Sequence, residues 1–498
     1  MRDNNKLNVG DIIKYLMIMS IVGCILLVFV GYFLKSFNLL CAGMVILLIH
    51  NLLYACAQLK TRIWFLILQI TIFTFLISRP FIEMLRGNKW WESRQLASES
   101  IYFSINLILI SLFALYVGAV IGEYVLKAEP ISKDKKDGKK VFQENLQVVS
   151  MVAYYITMCF FLVQEGEKLV FMQGKTYVEF YSEFQSQLPG IVISIAALMK
   201  YSLCIYLATF PNKKRTFVAL AFFEISAIPQ LIIGMRNPIM LNSLFILLYY
   251  FLRDILGDKK KWIGKIERIL LMIGIPFSFI FMSVYAYIRS GMKIAQTNIF
   301  RLFIDFFYGQ GVTFDVLGIA YGYRYSLRAR EWRNYTFGGI IDYIIHGRIG
   351  QMLWGTEALP SINCVENGTL SNNLGHNFAY MYLKEDYLKG RGYGSSYLIE
   401  NYVDFGYIGV AIFSLILGIL LVYMLRRFGR NTLIDTIVLV SLTTIFFIPR
   451  AEATGWLTFI VTAQFWIGIA ACYLGAYICT KLKWIQRVLC FLKLYPKE

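Results

Sequence analysis

The chain has 498 residues, of which 58% are hydrophobic and 16% are charged, and its formal net charge at neutral pH is +18. Soluble domains carry roughly 45–50% apolar and about 25% charged residues. This composition therefore excludes a soluble globular protein and indicates an integral membrane protein. The positive charge would also fit a nucleic-acid partner, but its distribution along the chain indicates anionic lipid instead.

Apolar windows of about 20 residues mark membrane-spanning helices. We predict an all-α integral membrane protein with about 12 of them. The predicted spans are 12–34, 38–58, 62–84, 101–126, 147–165, 188–210, 216–234, 237–253, 268–288, 401–425, 431–448 and 456–479. The chain then divides into residues 1–288 with nine helices, a large external loop at 289–400, and residues 401–498 with three helices and a cytoplasmic tail.

Lysine and arginine residues predict the orientation. If the N-terminus is cytoplasmic, each of the seven predicted inner segments carries at least two of them. The positive-inside rule therefore places both termini in the cytoplasm and the loop 289–400 outside. Aromatic and apolar pieces of that loop, at 298–308 and 340–353, are predicted to be interfacial helices that lie on the membrane.

Four arginines lie at the outer ends of predicted helices, against this bias. They are Arg79, Arg236, Arg289 and Arg450. An arginine deep in a membrane costs about 2.5–3.5 kcal/mol, and its planar fork suits phosphate. The four together favour a shared anion, namely a lipid-linked diphosphate. The alternatives are that each arginine snorkels to lipid headgroups, or that Arg79 pairs with Glu83 four residues later.

One carboxylate lies within a predicted span. Glu224 is in the seventh predicted helix, shortly before Pro229. Intramembrane acids are functional candidates, so we predict that Glu224 binds substrate hydroxyls or pairs with an arginine. A structural role at the helix kink explains it equally well.

The segment 375–410 is the most polar and glycine-rich part of this chain. His376 is the first candidate to contact or deprotonate an acceptor hydroxyl, because the ordinary histidine pKa is near 6.5. Glu400 is the second catalytic candidate, and Asp404 is expected to orient an arginine or a sugar hydroxyl. His376 could equally be an orienting hydrogen-bond donor.

A Gly-x-Gly-x-Gly-Ser-Ser run occupies residues 390–396. Glycine allows the backbone to approach a ligand closely, and the neighbouring tyrosines suit sugars or the membrane interface. The run is therefore predicted to bind glycan. Its candidate residues are Arg391, Gly392, Gly394, Ser395 and Ser396. A plain interfacial loop, with Arg391 facing solvent, is the alternative.

The sequence contains no P-loop, no Gly-x-Ser-x-Gly, no His-Glu-x-x-His and no Asp-x-Asp pair in a suitable context. We expect neither a metal nor a cofactor. A sugar donor carried on a lipid diphosphate needs neither of them, because arginines can neutralise the leaving diphosphate.

Three motifs carry a family resemblance. They are Gly-Met-Arg-Asn-Pro at 234–238, Gly-His-Asn at 375–377 with the glycine run after it, and Glu-Asn-Tyr-x-Asp-Phe-Gly-Tyr-Ile-Gly at 400–409. With them, the chain resembles the O-antigen and capsule repeat-unit polymerases of the Wzy type, best over 215–460. The resemblance implies a glycosyltransferase of the bacterial cytoplasmic membrane. Such an enzyme would pass a growing glycan from one undecaprenyl diphosphate to a repeat unit on another, outside the cell membrane.

The partners implied are undecaprenyl-diphosphate-linked oligosaccharides and membrane lipid, with no nucleic acid, and a chain-length regulator and a flippase are candidate partners. Two other functions stay open on the residues alone. A flippase or polysaccharide exporter would also use arginines, although the sequence has no internal repeat of the transporter kind. An O-antigen-type ligase would share the donor chemistry, and only the resemblance favours the polymerase over it.

Overall fold

The structure is a computed structural model that describes residues 9–92, 96–125, 137–257, 261–289, 298–330, 333–482 and 484. Helices form its regular elements, and the described ranges contain no strand. The side chain of Arg289 lies outside the described part of the chain, so the prediction for Arg289 stays a prediction.

The helices follow one another as α1 (Val9–Phe33), α2 (Phe37–Ala57), α3 (Leu59–Ile72), α4 (Ser78–Leu85), α5 (Ser98–Val125), α6 (Asp137–Phe171), α7 (Tyr177–Glu183), α8 (Gly190–Ala208), α9 (Lys213–Ile225), α10 (Ile228–Ile233), α11 (Asn237–Ile255), α12 (Lys265–Arg289), α13 (Ile299–Gln310), α14 (Thr313–Gly322), α15 (Arg324–Arg328), α16 (Gly338–Ile345), α17 (Arg348–Trp354), α18 (Val365–Leu370), α19 (Leu374–Leu383), α20 (Glu385–Leu388), α21 (Tyr397–Arg427), α22 (Thr432–Leu442) and α23 (Ala463–Lys481). A π-helical segment, Phe73–Ile77, joins α3 to α4, and two 3₁₀ segments, Ile445–Arg450 and Thr458–Val461, lie between α22 and α23.

Thirteen helical segments of the described chain are long and apolar enough to cross a membrane. Twelve of them coincide with the predicted spans, which confirms an all-α integral membrane protein. The last span begins at Ala463 and not at 456, because residues 451–462 form turns and a short 3₁₀ segment. The thirteenth candidate is Ile299–Gly322, inside the predicted external loop.

This thirteenth segment consists of α13, a turn at residues 311–312 and α14, and we call it the hairpin for its change of direction, although the two helices pack on different neighbours and not along each other. The end of α13 packs on the third span, where the Ser78 hydroxyl donates to the carbonyl of Phe307 at 2.8 Å. The end of α14 contacts the first turn of α5, where the Tyr321 hydroxyl donates to Glu99 at 2.5 Å. The chain reverses direction within this segment: Asp305 in α13 lies 4.0 Å from Arg86, just after α4, residue 311 lies beside Arg79 at the start of α4, and Tyr321 returns to the first turn of α5. We infer that the hairpin enters and leaves on one side.

The hairpin differs from the expectation of a helix lying on the membrane surface at 298–308. Its helix α13 packs between spans instead, since Asp305 accepts a hydrogen bond of 2.8 Å from the Tyr287 hydroxyl at the end of α12. Its apolar side chains are buried against protein as well as lipid; Phe306, for example, stacks on Phe279 with 4.8 Å between ring centroids. The other twelve candidates in the described chain are long and apolar enough to cross the membrane.

Small residues bring α5 and α21 into close contact. A Cβ atom at Gly118 would lie 2.1 Å from a backbone oxygen of α21, and one at Gly418 would lie 2.3 Å from a backbone oxygen of α5. Ser111 is hydrogen-bonded to Tyr397 at 2.6 Å and to Ser414 at 2.8 Å. Close backbone approach and hydroxyl pairing are typical of helix contacts in membranes. This contact fixes α21, which carries Glu400 and Asp404, in the centre of the fold.

Candidate active site

The tip of the hairpin gathers predicted arginines. Arg450 Nη1 donates to the backbone carbonyl of Gln310 at 3.2 Å and to its side-chain oxygen at 3.3 Å. Gln310 and Arg236 line one cavity. At the next residue of the tip, a Cβ atom on Gly311 would lie 2.5 Å from the Cβ of Arg79. Arg79 and Arg450 therefore contact residues 310–311, and Arg236 shares a cavity with Gln310.

Arg79 is held by the hairpin itself. Its Nη1 lies 2.5 Å from an oxygen of Asp315, and its side chain is 20% exposed. Its Nε donates to the carbonyl of Tyr308 at 3.2 Å, and the guanidinium covers the ring of Tyr308. Glu83, the partner considered from sequence spacing, accepts instead from Asn88 at 2.5 Å. These contacts place Arg79 in an ion pair within the protein.

Arg236 lies in the turn between α10 and α11. The turn depends on Gly234, whose φ of +114° is in the region that favours glycine. A side chain there would also collide with the ring of Tyr177, 2.5 Å from the added Cβ. Arg236 Nη1 donates to the carbonyl of Met282 on α12 at 3.1 Å. The guanidinium is thereby directed to the space between α11 and α12.

That space is an apolar cavity of about 530 Å³. Its walls come from α3, the π-helical segment, α11, α12, α13 and the 3₁₀ segment Ile445–Arg450. Arg236, Asn237 and Gln310 lie at one end of the cavity, where α11 begins and α13 ends. Cavities of 300–1,000 Å³ with a few placed polar groups are typical of ligand sites.

Glu400 joins two parts of the site. Its Oε1 accepts from the Ser395 hydroxyl at 2.6 Å, and its Oε2 accepts from the backbone N–H of Ala453 at 2.7 Å. The residue is 0% exposed. Glu400 therefore links the glycine-serine run to the segment that follows Arg450 by one hydrogen bond to each.

The glycine-serine run itself is part buried and part open. Ser396 is buried and caps α21, where its hydroxyl accepts from the N–H of Leu398 at 3.4 Å. A Cβ atom at Gly394, where φ is +77°, would lie 3.9 Å from the carbonyl oxygen of Arg450, whereas one at Gly392 would meet nothing within 4 Å. The run therefore passes beside Arg450 and leaves its backbone accessible at Gly392.

Arg391, in the same run, is exposed. Its guanidinium lies 3.1 Å from a carboxylate oxygen of Asp386, and the two side chains are 64% and 44% exposed. Arg391 is therefore held in a solvent-exposed ion pair with Asp386. An exposed ion pair of this kind contributes little to stability.

Asp404 is one helical turn beyond Glu400. It accepts from the backbone N–H and the hydroxyl of Thr336, at 2.6 and 2.7 Å. Asp404 also lines a second cavity, of about 590 Å³, together with Arg328 and Arg333. The carboxylate therefore holds the loop that leads into α16, and its predicted role in orienting an arginine or a sugar hydroxyl stays a prediction.

His376 lies in the first turn of α19. The cap of this helix is Asn373, whose side-chain oxygen accepts from the N–H of His376 at 3.1 Å. His376 Nδ1 lies 2.9 Å from the hydroxyl of Tyr387, and its Nε2 has no hydrogen bond to the described residues. Burial lowers the pKa of His376. The imidazole is therefore neutral at neutral pH, with one nitrogen available to a ligand.

Glu452 is a carboxylate that the sequence analysis did not single out. Its Oε1 accepts from the side-chain amide of Asn373 at 2.6 Å. Its Oε2 has no partner among the described residues, and a Cβ atom at Gly339 would lie 3.0 Å from it. Burial, and then the carboxylate of Asp342, raise the pKa of Glu452. A raised pKa with one uncommitted oxygen is typical of a general base or acid.

Asn373 connects the two titratable candidates, since it caps the helix of His376 and also donates to Glu452. The signal for Glu452 was present in the sequence, two residues after Arg450. Because the last span was predicted to begin at 456, Glu452 fell in a connection of only a few residues and did not stand out as a site residue. The Gln310 tip carried no sequence signal at all.

Glu224 lies elsewhere. Its Oε1 accepts from the Ser243 hydroxyl at 2.6 Å, which joins α9 to α11. Ser243 lines the apolar cavity, whereas Glu224 Oε2 is buried without a partner among the described atoms. The structure therefore does not bring Glu224 to His376 or to the glycine-serine run.

The fold and the site define a multi-pass helical membrane protein with a charged, carboxylate-containing site at one end of its spans. The family model of the O-antigen polysaccharide polymerase Wzy matches residues 15–483, nearly the whole chain, and the chain belongs to this family. The resemblance seen in the sequence is thereby confirmed, and the protein is an O-antigen repeat-unit polymerase that acts on lipid-linked oligosaccharides in a membrane. Neither the curated proteins nor the solved structures gave a match.

Proposed function

We propose that this polymerase uses undecaprenyl diphosphate as its lipid carrier and works at the outer face of the bacterial cytoplasmic membrane, in O-antigen or capsule synthesis. One observation carries the proposal. Arg450 donates to Gln310 at the hairpin tip, and Gln310 and Arg236 line the same apolar cavity within the spans. A diphosphate on a hydrocarbon chain has the matching combination of charge and apolar surface.

In this proposal Arg236 and Arg450 bind the donor diphosphate, with Arg289 as a further candidate. Each charge-assisted hydrogen bond contributes about 1.5–3 kcal/mol. Charge grows on the leaving diphosphate as its bond to the sugar breaks, so donors fixed beforehand stabilise that charge. Arg79 contributes indirectly, since its pairing with Asp315 holds the hairpin tip in place.

Glu452 is the proposed base for the acceptor. The acceptor hydroxyl oxygen forms a bond to the anomeric carbon of the donor sugar, and the bond from that carbon to the phosphate oxygen breaks. The hydroxyl proton passes to Glu452 Oε2, and the lipid diphosphate leaves with the electron pair. A carboxylate whose pKa is raised by burial accepts a proton more readily than an ordinary one.

His376 is proposed to orient the acceptor by donating a hydrogen bond. Burial raises the pKa of Tyr387, so its hydroxyl keeps the proton that it can donate to His376 Nδ1. A neutral imidazole that accepts at Nδ1 carries its own proton at Nε2. Nε2–H then faces the substrate. Direct deprotonation by His376, considered above, requires the opposite tautomer.

Glu400, Ser395 and Asp404 are proposed to position the site. The carboxylate of Glu400 is enclosed, with both oxygens accepting hydrogen bonds from Ser395 and Ala453. The open backbone at Gly392 is the part of the run that we assign to glycan contact. A direct catalytic role for Glu400, and glycan contacts of Glu224, Arg391 and Ser396, remain weaker proposals.

Both termini are proposed to be cytoplasmic. Twelve complete crossings return the chain to its starting side, and the basic inner segments favour the cytoplasm for that side. The hairpin and the site then face outward, where a flippase would deliver the repeat units and a chain-length regulator would act.

Deletion of the gene in its host tests the function. Single repeat units on outer-surface lipid, with long chains absent, are the expected result. Repeat units trapped on the inner leaflet would indicate a flippase. Long polymer left on its lipid carrier would indicate a ligase.

A further inference from the structure

The apolar cavity is elongated along the spans. On α12 its lining residues run from Met282, which accepts the hydrogen bond of Arg236, down to Leu270. These are twelve positions apart, or about 18 Å along a helix. On α11 the lining runs from Asn237 to Leu247 in the same direction. The cavity therefore extends from the arginine level over more than half of a hydrocarbon core of roughly 30 Å.

One side of this cavity opens to the bilayer. Leu270 and Ile275 both line it and are 64% and 40% exposed, so this part of the wall is not covered by other parts of the described protein. The helix that carries them, α12, is peripheral, since only 11% of its apolar window is buried. A lipid chain can therefore enter sideways, past α12, without leaving the membrane.

The charged lining of the cavity is confined to one end. Arg236 is the single charged residue among the described residues that line it, and it lies at the end marked by Gln310. An occupant must then have a long apolar body and an anionic end. We infer that this cavity is the binding site for the polyprenyl chain of the donor, next to its diphosphate. The inference rests on the proposed function and adds a site for the lipid itself.

Gly274 offers a way to block the cavity. It lies on α12 among the lining residues, and an added Cβ atom would meet nothing within 4 Å. In Gly274→Trp the indole can occupy the cavity without displacing its walls. Gly23 on α1 is the matched control, because a Cβ there also meets nothing within 4 Å and the residue does not line the cavity.

The experiment uses the full-length protein in phosphatidylcholine vesicles and a diazirine-bearing undecaprenyl diphosphate without sugars. We expect crosslinks to α11 and α12 between the levels of Met282 and Leu270, displaced by unlabelled undecaprenyl diphosphate but not by phosphatidylglycerol. Gly274→Trp should lower the crosslink yield by roughly tenfold, and Gly23→Trp should leave it unchanged.

Three results would overturn the inference: crosslinks outside the cavity only, equal competition by phosphatidylglycerol, or normal crosslinking of Gly274→Trp. The readout is binding, so it separates this inference from the proposed function. A protein that takes up the probe in the cavity but fails to restore long chains in the deletion host would contradict the proposed function alone.

Discussion

Arg450 and Gln310 are 140 residues apart in sequence, and one guanidinium nitrogen of Arg450 contacts both the backbone carbonyl and the side-chain oxygen of Gln310, at 3.2 and 3.3 Å. The guanidinium carbon also lies 6.0 Å from the ring centroid of Phe75, which lines the apolar cavity. The contact therefore couples the hairpin tip to the segment that carries Glu452. In the proposed mechanism, the donor binds on one side of Arg450 and the proton is transferred on the other.

The Arg79–Asp315 ion pair predicts that replacing either residue by alanine lowers the stability of the protein by a similar amount. Asp315→Ala and Arg79→Ala each remove one partner of a mostly buried ion pair, which costs about 3–5 kcal/mol. We expect both variants to unfold at lower temperature and to make less polymer in proportion to the folded protein. The double variant with the charges exchanged should recover part of the stability. A stable Arg79→Ala without polymer, beside a fully active Asp315→Ala, would mean that Arg79 binds substrate.

Because both carboxylate oxygens of Glu400 accept hydrogen bonds within the protein, we predict that the variant Glu400→Gln stays active. In Glu400→Gln the carbonyl can still accept from the N–H of Ala453, and the new amide can donate to the Ser395 hydroxyl. We expect normal folding and activity within roughly tenfold. Glu400→Ala leaves buried donors unpaired, at about 1–3 kcal/mol each, and should lower the unfolding temperature. Glu400→Gln that folds normally but makes no polymer would support direct catalysis by Glu400.

The tautomer proposed for His376 predicts how much activity the variant His376→Gln retains. The amide nitrogen of Gln can donate where Nε2–H did, but it has no basic lone pair. We expect His376→Gln to keep much more activity than His376→Ala in a polymer-length assay on membranes with matched protein levels. Equal and complete loss in both variants would show that His376 takes the proton itself.

The raised pKa of Glu452 predicts the acid side of the pH profile. The base acts only when ionised, so kcat/KM should fall as pH drops through a pKa above the ordinary value near 4.3. Glu452→Gln should cost roughly 100-fold or more. Glu357, which is exposed, supplies the control Glu357→Gln, whose profile should match the wild type. An unchanged acid limb in Glu452→Gln would remove Glu452 from this role.

Local composition was enough to predict the spanning helices, because the bilayer requires about 20 apolar residues in each. For the same reason, charged residues within or beside the apolar segments stood out; Arg450 contacts the hairpin tip at Gln310, which lines one cavity with Arg236. Glu400 and Asp404 stood out as acidic residues of a polar segment, and the roles predicted for them stay predictions. Their partners, Ala453 and Thr336, could not be identified because hydrogen bonds across the fold leave no spacing pattern.

The hairpin was beyond prediction for a physical reason. Apolar helices of 12 and 10 residues can lie on a membrane, pack in a core or dip between spans, and composition does not separate these cases. The burial of Glu452 likewise depends on the fold, since Asn373 and Gly339 come from distant turns. Glu452 lies in a long connection between helices because the last span begins only at Ala463.

The measurement that tests the central claim most directly is surface glycan length in the deletion host carrying single arginine variants. Arg236→Ala should abolish chain growth at normal protein levels, and Arg236→Lys should restore it only in part, because lysine lacks the two-pronged fork. Arg348→Ala, at an exposed position on α17, should give normal chains. Near-normal polymer from Arg236→Ala would contradict the assignment of the donor diphosphate to this site.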